Sequence, residues 1–171
     1  MSGFVCRIKE YIQPFERELA LQEVGALIAA AGLISERKSS SELMVLGNEK
    51  NLQDFAQRLA YWESVAGSGR LVTTRQSLRE ATVNVVRNGI DLDVLRDALP
   101  FRDEVSLPNR RCLRYGTHGI HEYRGKFFPQ LVRALINVSG TDAGGIIADP
   151  MSGSGTTLVE AKLFGCETYG V

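Results

Sequence analysis

The sequence predicts an α/β protein in two unequal parts, and three observations predict it. Residues 1–75 read as strand, helix, strand, strand, helix, strand; residues 77–99 carry a separate helical pattern; and near the C-terminus a glycine- and serine-rich loop joins a short apolar run to a further helical stretch. The 171 residues suffice for one ordinary domain or two small ones. With 44% apolar and 23% charged residues the composition is that of a soluble globular chain. No stretch approaches the roughly 20 apolar residues of a membrane helix. The N-terminus mixes charges into its apolar run and lacks a small-residue cleavage pattern, so a cytoplasmic protein without a membrane partner is expected. Cys6, Cys112 and Cys166 are odd in number and widely spaced, which argues for reduced thiols and against a C-x-x-C metal site. Twenty basic residues balance twenty acidic ones, so any case for a charged partner rests on local motifs.

Residues 3–12 (GFVCRIKEYI) are rich in β-formers and predict a first strand, stopped before Pro14. In residues 16–32, Ala20, Val24, Leu27, Ile28 and Ala31 recur at helical spacing, with Gly32 at the expected helix end. Residues 33–38 and 42–46 flank three serines and predict two short strands joined by a turn. Leu52, Phe55, Ala56, Leu59 and Trp62 form the stripe of a second helix over residues 51–66, closed by Gly67-Ser68-Gly69. Residues 70–74 (RLVTT) then supply the last strand. This order is that of a ferredoxin-like α+β unit, four antiparallel strands with both helices on one face. Residues 76–110 read as a helical linker region: Leu78, Ala81 and Val85 share one face and Leu92, Leu95 and Leu99 another, broken at Asn88-Gly89. A domain boundary is expected near residues 100–110, between Pro100 and Pro108.

The third part, residues 111–171, carries the chemistry. Residues 145–148 form an apolar run, Asp149-Pro150 ends it, and helical periodicity resumes at Thr157 after a glycine–serine loop. Glycines at the carboxyl end of a parallel strand let a ligand approach the backbone, and the helix N-terminus beyond presents N–H groups. Residues 166–171 read as a second parallel strand after Gly165. The phosphate-loop pattern G-x-x-x-x-G-K-[ST] fails, because Thr156 stands where lysine is required. The dinucleotide pattern G-x-G-x-x-G fails at Leu158. An acid at the strand end with Gly153 and Gly155 remains, which a purely structural strand-to-helix turn also satisfies.

The full string Asp149-Pro150-Met151-Ser152-Gly153-Ser154-Gly155-Thr156-Thr157 resembles the D-P-[FM]-x-G-S-G-T-T loop of S-adenosylmethionine-dependent methyltransferases acting on exocyclic amino groups: DNA N4-cytosine and N6-adenine methylases, and related RNA guanine-N2 methylases. Residues 118–136 resemble the H-x-Y-x-x-K-F-x-P-x-L element that precedes this loop in DNA amino-methylases, with His121, Tyr123, Lys126, Phe127, Pro129 and Leu131 matching. The resemblance implies the start of a Rossmann-like methyltransferase domain that binds S-adenosyl-L-methionine. It assigns cofactor binding to Asp149, Pro150, Gly153, Ser154, Gly155, Thr156 and Thr157, and to Lys126 and Phe127 of the closing element. Without the resemblance, residues 118–136 read as a core-packing helix with a basic lead-in.

His118 and His121 are not expected to hold a metal, since Gly116 and Gly119 oppose the helix that would bring them together. Arg110, Arg111, Arg114, Arg124 and Lys126 form a basic segment that is either a solvated linker or a phosphate contact. Amino-methylases also carry (D/N/S)-P-P-(Y/F/W), whose polar residue and proline carbonyl hold the target amine and whose ring stacks on the base. No such string occurs in the 171 residues, so no catalytic residue is assigned and the chain is read as a truncated N-terminal fragment, inactive by itself. The expected partner is DNA, with tRNA as the alternative. A non-catalytic nucleic-acid-binding or interaction module is the reading from another class.

Overall fold

The computed structural model describes residues 3–88, 115–120 and 123–171. Strands β1 (Gly3–Ile8), β2 (Ile34–Arg37), β3 (Glu42–Leu46), β4 (Trp62–Gly67) and β5 (Arg70–Thr73) form one antiparallel sheet in the order β2-β3-β1-β4-β5. Helix α1 (Pro14–Ala30) links β1 to β2 and α2 (Glu49–Arg58) links β3 to β4. Both contribute to one core: Ala20, Val24 and Leu27 of α1 and Leu52, Phe55 and Ala56 of α2 meet Phe4, Cys6, Ile8, Val45 and Val65 of the strands. Helix α3 (Arg75–Asn88) follows, then a 3-10 turn at Gly116–Gly119, helix α4 (Pro129–Val138), strand β6 (Ile146–Asp149), helix α5 (Thr156–Phe164) and strand β7 (Glu167–Gly170). β6 and β7 pair in parallel, Ile146 opposite Glu167 and Asp149 opposite Gly170.

Three expectations are corrected. The first strand ends at Ile8, where its pairing with β4 shifts register and the Lys9 side chain turns inward to Glu80. The second helix ends at Arg58 rather than near residue 66, and Trp62 opens a strand. The cause is tertiary: Leu59 leaves helical geometry (φ −58°, ψ 130°), and the carboxylate of Glu23 on α1 accepts the N–H groups of Ala60 and Tyr61 at 2.7 and 3.4 Å. Those N–H groups, which helix continuation would have bonded to carbonyls, are satisfied in extended chain instead. Trp62 then buries its ring and donates its indole N–H to Ala20 O at 3.1 Å. The sheet consequently has five strands, residues 70–73 being its hairpin edge. Leu92, Leu95 and Leu99, the linker over residues 100–110, Arg110, Arg111, Cys112, Arg114 and His121 lie outside the described residues.

Helix α4 begins with Pro129, whose fixed φ suits the first helical turn. It packs along α1 and inserts Ala134 into the core of the antiparallel unit. Its other side, Val132 and Ile136, packs with Ala161 and Cys166 against the parallel pair. One helix thus joins the glycine-loop segment to the N-terminal sheet. Among the described residues no helix is long and apolar enough to cross a membrane.

Candidate functional site

The glycine loop is a turn between β6 and α5. Asp149 closes the strand and accepts the N–H of Met151 on Oδ1 at 3.1 Å, which bends the chain back over the strand end. Pro150 follows, exposed. Ser152 donates both its N–H and its hydroxyl to Val171 O, at 3.2 and 2.9 Å, tying the loop to the chain just after β7. Gly155 N–H returns to Ser152 O at 2.7 Å. Gly153 (φ +51°) and Gly155 (φ +75°) both adopt left-handed backbone, which costs any other L-residue roughly 1–2 kcal/mol. A Cβ at Gly155 would meet nothing within 4 Å, so the space above it is open; one at Gly153 would lie 3.2 Å from Cε1 of Tyr123. Gly155 is also the N-cap of α5 and supplies no side-chain bond, so the first-turn N–H groups open onto the loop. Ser154 and Thr156 hydroxyls lie 3.4 Å apart, with Thr156 buried.

Residues 121–170 match the RMKL-like, methyltransferase domain family. Over 54 residues the chain is 48% identical to the type II methyltransferase M.MjaII of Methanocaldococcus jannaschii, covering 32% of this chain and 10% of that protein. It is 44% identical over 48 residues to the tRNA (guanine(10)-N2)-dimethyltransferase of Methanothermobacter thermautotrophicus, covering 28% and 14%. It is 33% identical over 75 residues to the type II methyltransferase M.BsoBI of Geobacillus stearothermophilus, covering 40% and 15%. The chain therefore matches no more than 15% of the length of these curated relatives.

Behind the loop, the methyltransferase-like segment is held by an acid that sequence reading missed. Glu160, fully buried on α5, accepts the Tyr115 hydroxyl at 2.7 Å, pairs with His118 Nε2 at 2.8 Å and faces Arg133 of α4 at 3.5 Å. Burial alone would raise its pKa, but the bonds from His118 and Tyr115 and the charge of Arg133 hold the carboxyl below its ordinary value. Burial, with the Glu160 charge beside it, pushes the Tyr115 phenol well above its usual range. The available signal was an acid standing among Leu158, Val159 and Ala161 on a helix otherwise without acids. His118 is thus a buried hydrogen-bonding residue, and residues 116–119 form a single 3-10 turn.

The sequence-assigned residues fall in two groups. Asp149, Pro150, Gly153, Ser154, Gly155, Thr156 and Thr157 are contiguous in the turn. Phe127 is brought to them: it lines an apolar cleft of about 250 Å³ together with Thr157, Leu131, Val132, Leu135, Ile136, Ser139 and Ile147. The Lys126 ammonium donates to His118 O at 2.9 Å. Arg133 also donates to Gln57 O and Arg58 O at 3.0 and 3.3 Å, and Asn137 donates to Glu23 and to Arg58 O at 2.7 and 3.0 Å. Burial raises the Glu23 carboxyl to about 7, against the lowering effect of its backbone and Asn137 bonds.

Proposed function

We propose that residues 111–171 bind S-adenosyl-L-methionine for methyl transfer to an exocyclic amino group of a nucleic-acid base, a transfer that residues 1–171 are not expected to complete by themselves. The observation that carries the reading is the turn at residues 149–157: a carboxylate at the end of a parallel strand, two left-handed glycines and an open helix N-terminus. These residues fit the cofactor, because its methionine and ribose parts need backbone approach and N–H donors, and the space above Gly155 is open, with no atom within 4 Å of where a Cβ would stand. Bound there, S-adenosyl-L-methionine would supply an activated methyl group. Asp149, Pro150, Gly153, Ser154, Gly155, Thr156 and Thr157 would form its floor, with Phe127 against the flank and Lys126 supporting the closing element.

The strand order β2-β3-β1-β4 supports a ferredoxin-like unit over residues 1–75, followed by a helical region to residue 110; the parallel β6–β7 pair with α5 supports the beginning of a Rossmann-like domain over residues 111–171. DNA is favoured as substrate by the residues 118–136 element and by the likeness to two type II methyltransferases. The tRNA reading is favoured by the likeness to the tRNA (guanine(10)-N2)-dimethyltransferase. No (D/N/S)-P-P-(Y/F/W) string occurs in residues 1–171, so none of them is assigned to hold the target amine. A cytoplasmic location accords with such a substrate.

Calorimetric titration of the protein with S-adenosylmethionine tests the cofactor assignment, and radiolabelled methyl transfer to duplex DNA or tRNA by residues 1–171 alone would overturn the reading that they hold no catalytic residue. Gly155→Val, which puts a branched side chain into the open space at φ +75°, is expected to abolish cofactor binding while the far-ultraviolet circular dichroism is retained. Unchanged affinity in the variant removes the cofactor assignment.

A further inference from the structure

We propose that Tyr123 is a cofactor-recognition residue, its ring forming a cation–π contact with the sulfonium of S-adenosylmethionine; this rests on the cofactor reading above. The ring lies against Gly153 of the glycine loop, and Gly125 in its own turn leaves room for it. An ideal Cβ at Gly153 would come within 3.2 Å of its Cε1, and one at Gly125 within 3.0 Å of the same atom and 3.3 Å of its hydroxyl. Gly153 therefore lets the aromatic side chain lie against the loop backbone, where a Cβ would crowd it. The turn that delivers it is closed by Lys126 N–H to Tyr123 O at 3.5 Å and held from below by the Lys126 ammonium on His118 O. Tyr123 is nonetheless 48% exposed, so part of its surface stays available beside the loop.

The chemistry of the ligand selects what this ring would recognise. The cofactor and its demethylated product, S-adenosylhomocysteine, share the adenosine and amino-acid parts and differ in one methyl group and one positive charge on sulfur. A π-face attracts a cation within about 6 Å of its centroid through the ring quadrupole, and holds a neutral thioether only by the weaker sulfur–aromatic contact. An aromatic residue against the methionine-binding loop thus favours the charged substrate form over the spent product. A hydrogen-bonding or purely steric wall would not make that distinction.

The test compares the ratio of affinities for S-adenosylmethionine and S-adenosylhomocysteine, by calorimetry, in the wild type, Tyr123→Phe and Tyr123→Leu. Tyr123→Phe should keep the ratio. Tyr123→Leu should weaken S-adenosylmethionine binding about three- to thirty-fold relative to the product, the range expected of exposed to desolvated cation–π contacts. An equal loss for both ligands would show a packing role and overturn the proposal. An unchanged ratio with weakened nucleic-acid binding would assign the ring to base stacking and overturn it equally. If the wild type binds neither ligand, the underlying cofactor reading fails, a result distinguishable from both.

Discussion

Replacing Glu160 by alanine removes the one acceptor shared by three buried donors. Tyr115, His118 and Arg133 are each no more than 5% exposed, so their polar groups have no ready access to water. Tyr115 keeps a second bond, to Gln76 Oε1 at 3.3 Å, and Arg133 keeps the Gln57 and Arg58 carbonyls. The uncompensated Arg133 charge and the unpaired His118 ring dominate the loss. Breaking a buried charge pair by removing one partner costs about 3–5 kcal/mol, a large share of the 5–15 kcal/mol typical of a domain. For a chain of this size that corresponds to a Tm lowered by roughly 6–20 °C. Glu160→Gln keeps one acceptor and should fall between the variant and the wild type. Urea unfolding followed by circular dichroism at pH 7 reads the effect. The sign with pH follows from the depressed carboxyl: the stabilisation is present above the ordinary value of 4.5 and is lost as pH falls through the lower folded-state value. A loss under about 1 kcal/mol in Glu160→Ala would refute the view that this acid holds α5 to residues 115–118 and α4.

Glu23 behaves in the opposite sense. Its carboxyl is raised to about 7 from an ordinary 4.5, so its contribution is present below 4.5 and is lost as pH rises through 7, amounting to about 3 kcal/mol. Unfolding free energies measured between pH 5 and 8 should show that decline, and Glu23→Gln should flatten it; an unchanged slope in the variant places the titration elsewhere. At the loop, Gly155→Ala should cost only the roughly 1–2 kcal/mol of left-handed backbone, since its Cβ meets open space. Gly153→Ala should add a displacement of the Tyr123 ring, visible as shifted ring resonances in NMR spectra. Identical ring shifts in the two variants would show that the ring does not rest on Gly153.

What the sequence by itself determined is what local chemistry encodes. The helical stripes of Ala20, Val24 and Leu27 and of Leu52, Phe55 and Ala56 face the core, because a 3.6-residue period places them on one side whatever lies opposite. The strand-to-helix turn was legible for the same reason: strand end, left-handed glycines and helix start are written within nine consecutive residues, 149–157. Residues 59–66 were misread because a stripe reaching Trp62 is compatible with helix, and the acid that captures Ala60 and Tyr61 in extended form stands 37 and 38 residues away. Glu160 with Tyr115 and His118, Asn137 with Glu23, and Tyr123 on Gly153 were likewise decided by tertiary structure. A buried polar group must find a partner, but its own neighbours in sequence do not say which; the Asn137–Glu23 bond closes a separation of 114 residues. The joining of the two parts through α4 belongs to this second class, since Ala134 and Val132 are equally apolar and only the surfaces on either side select which core each one enters.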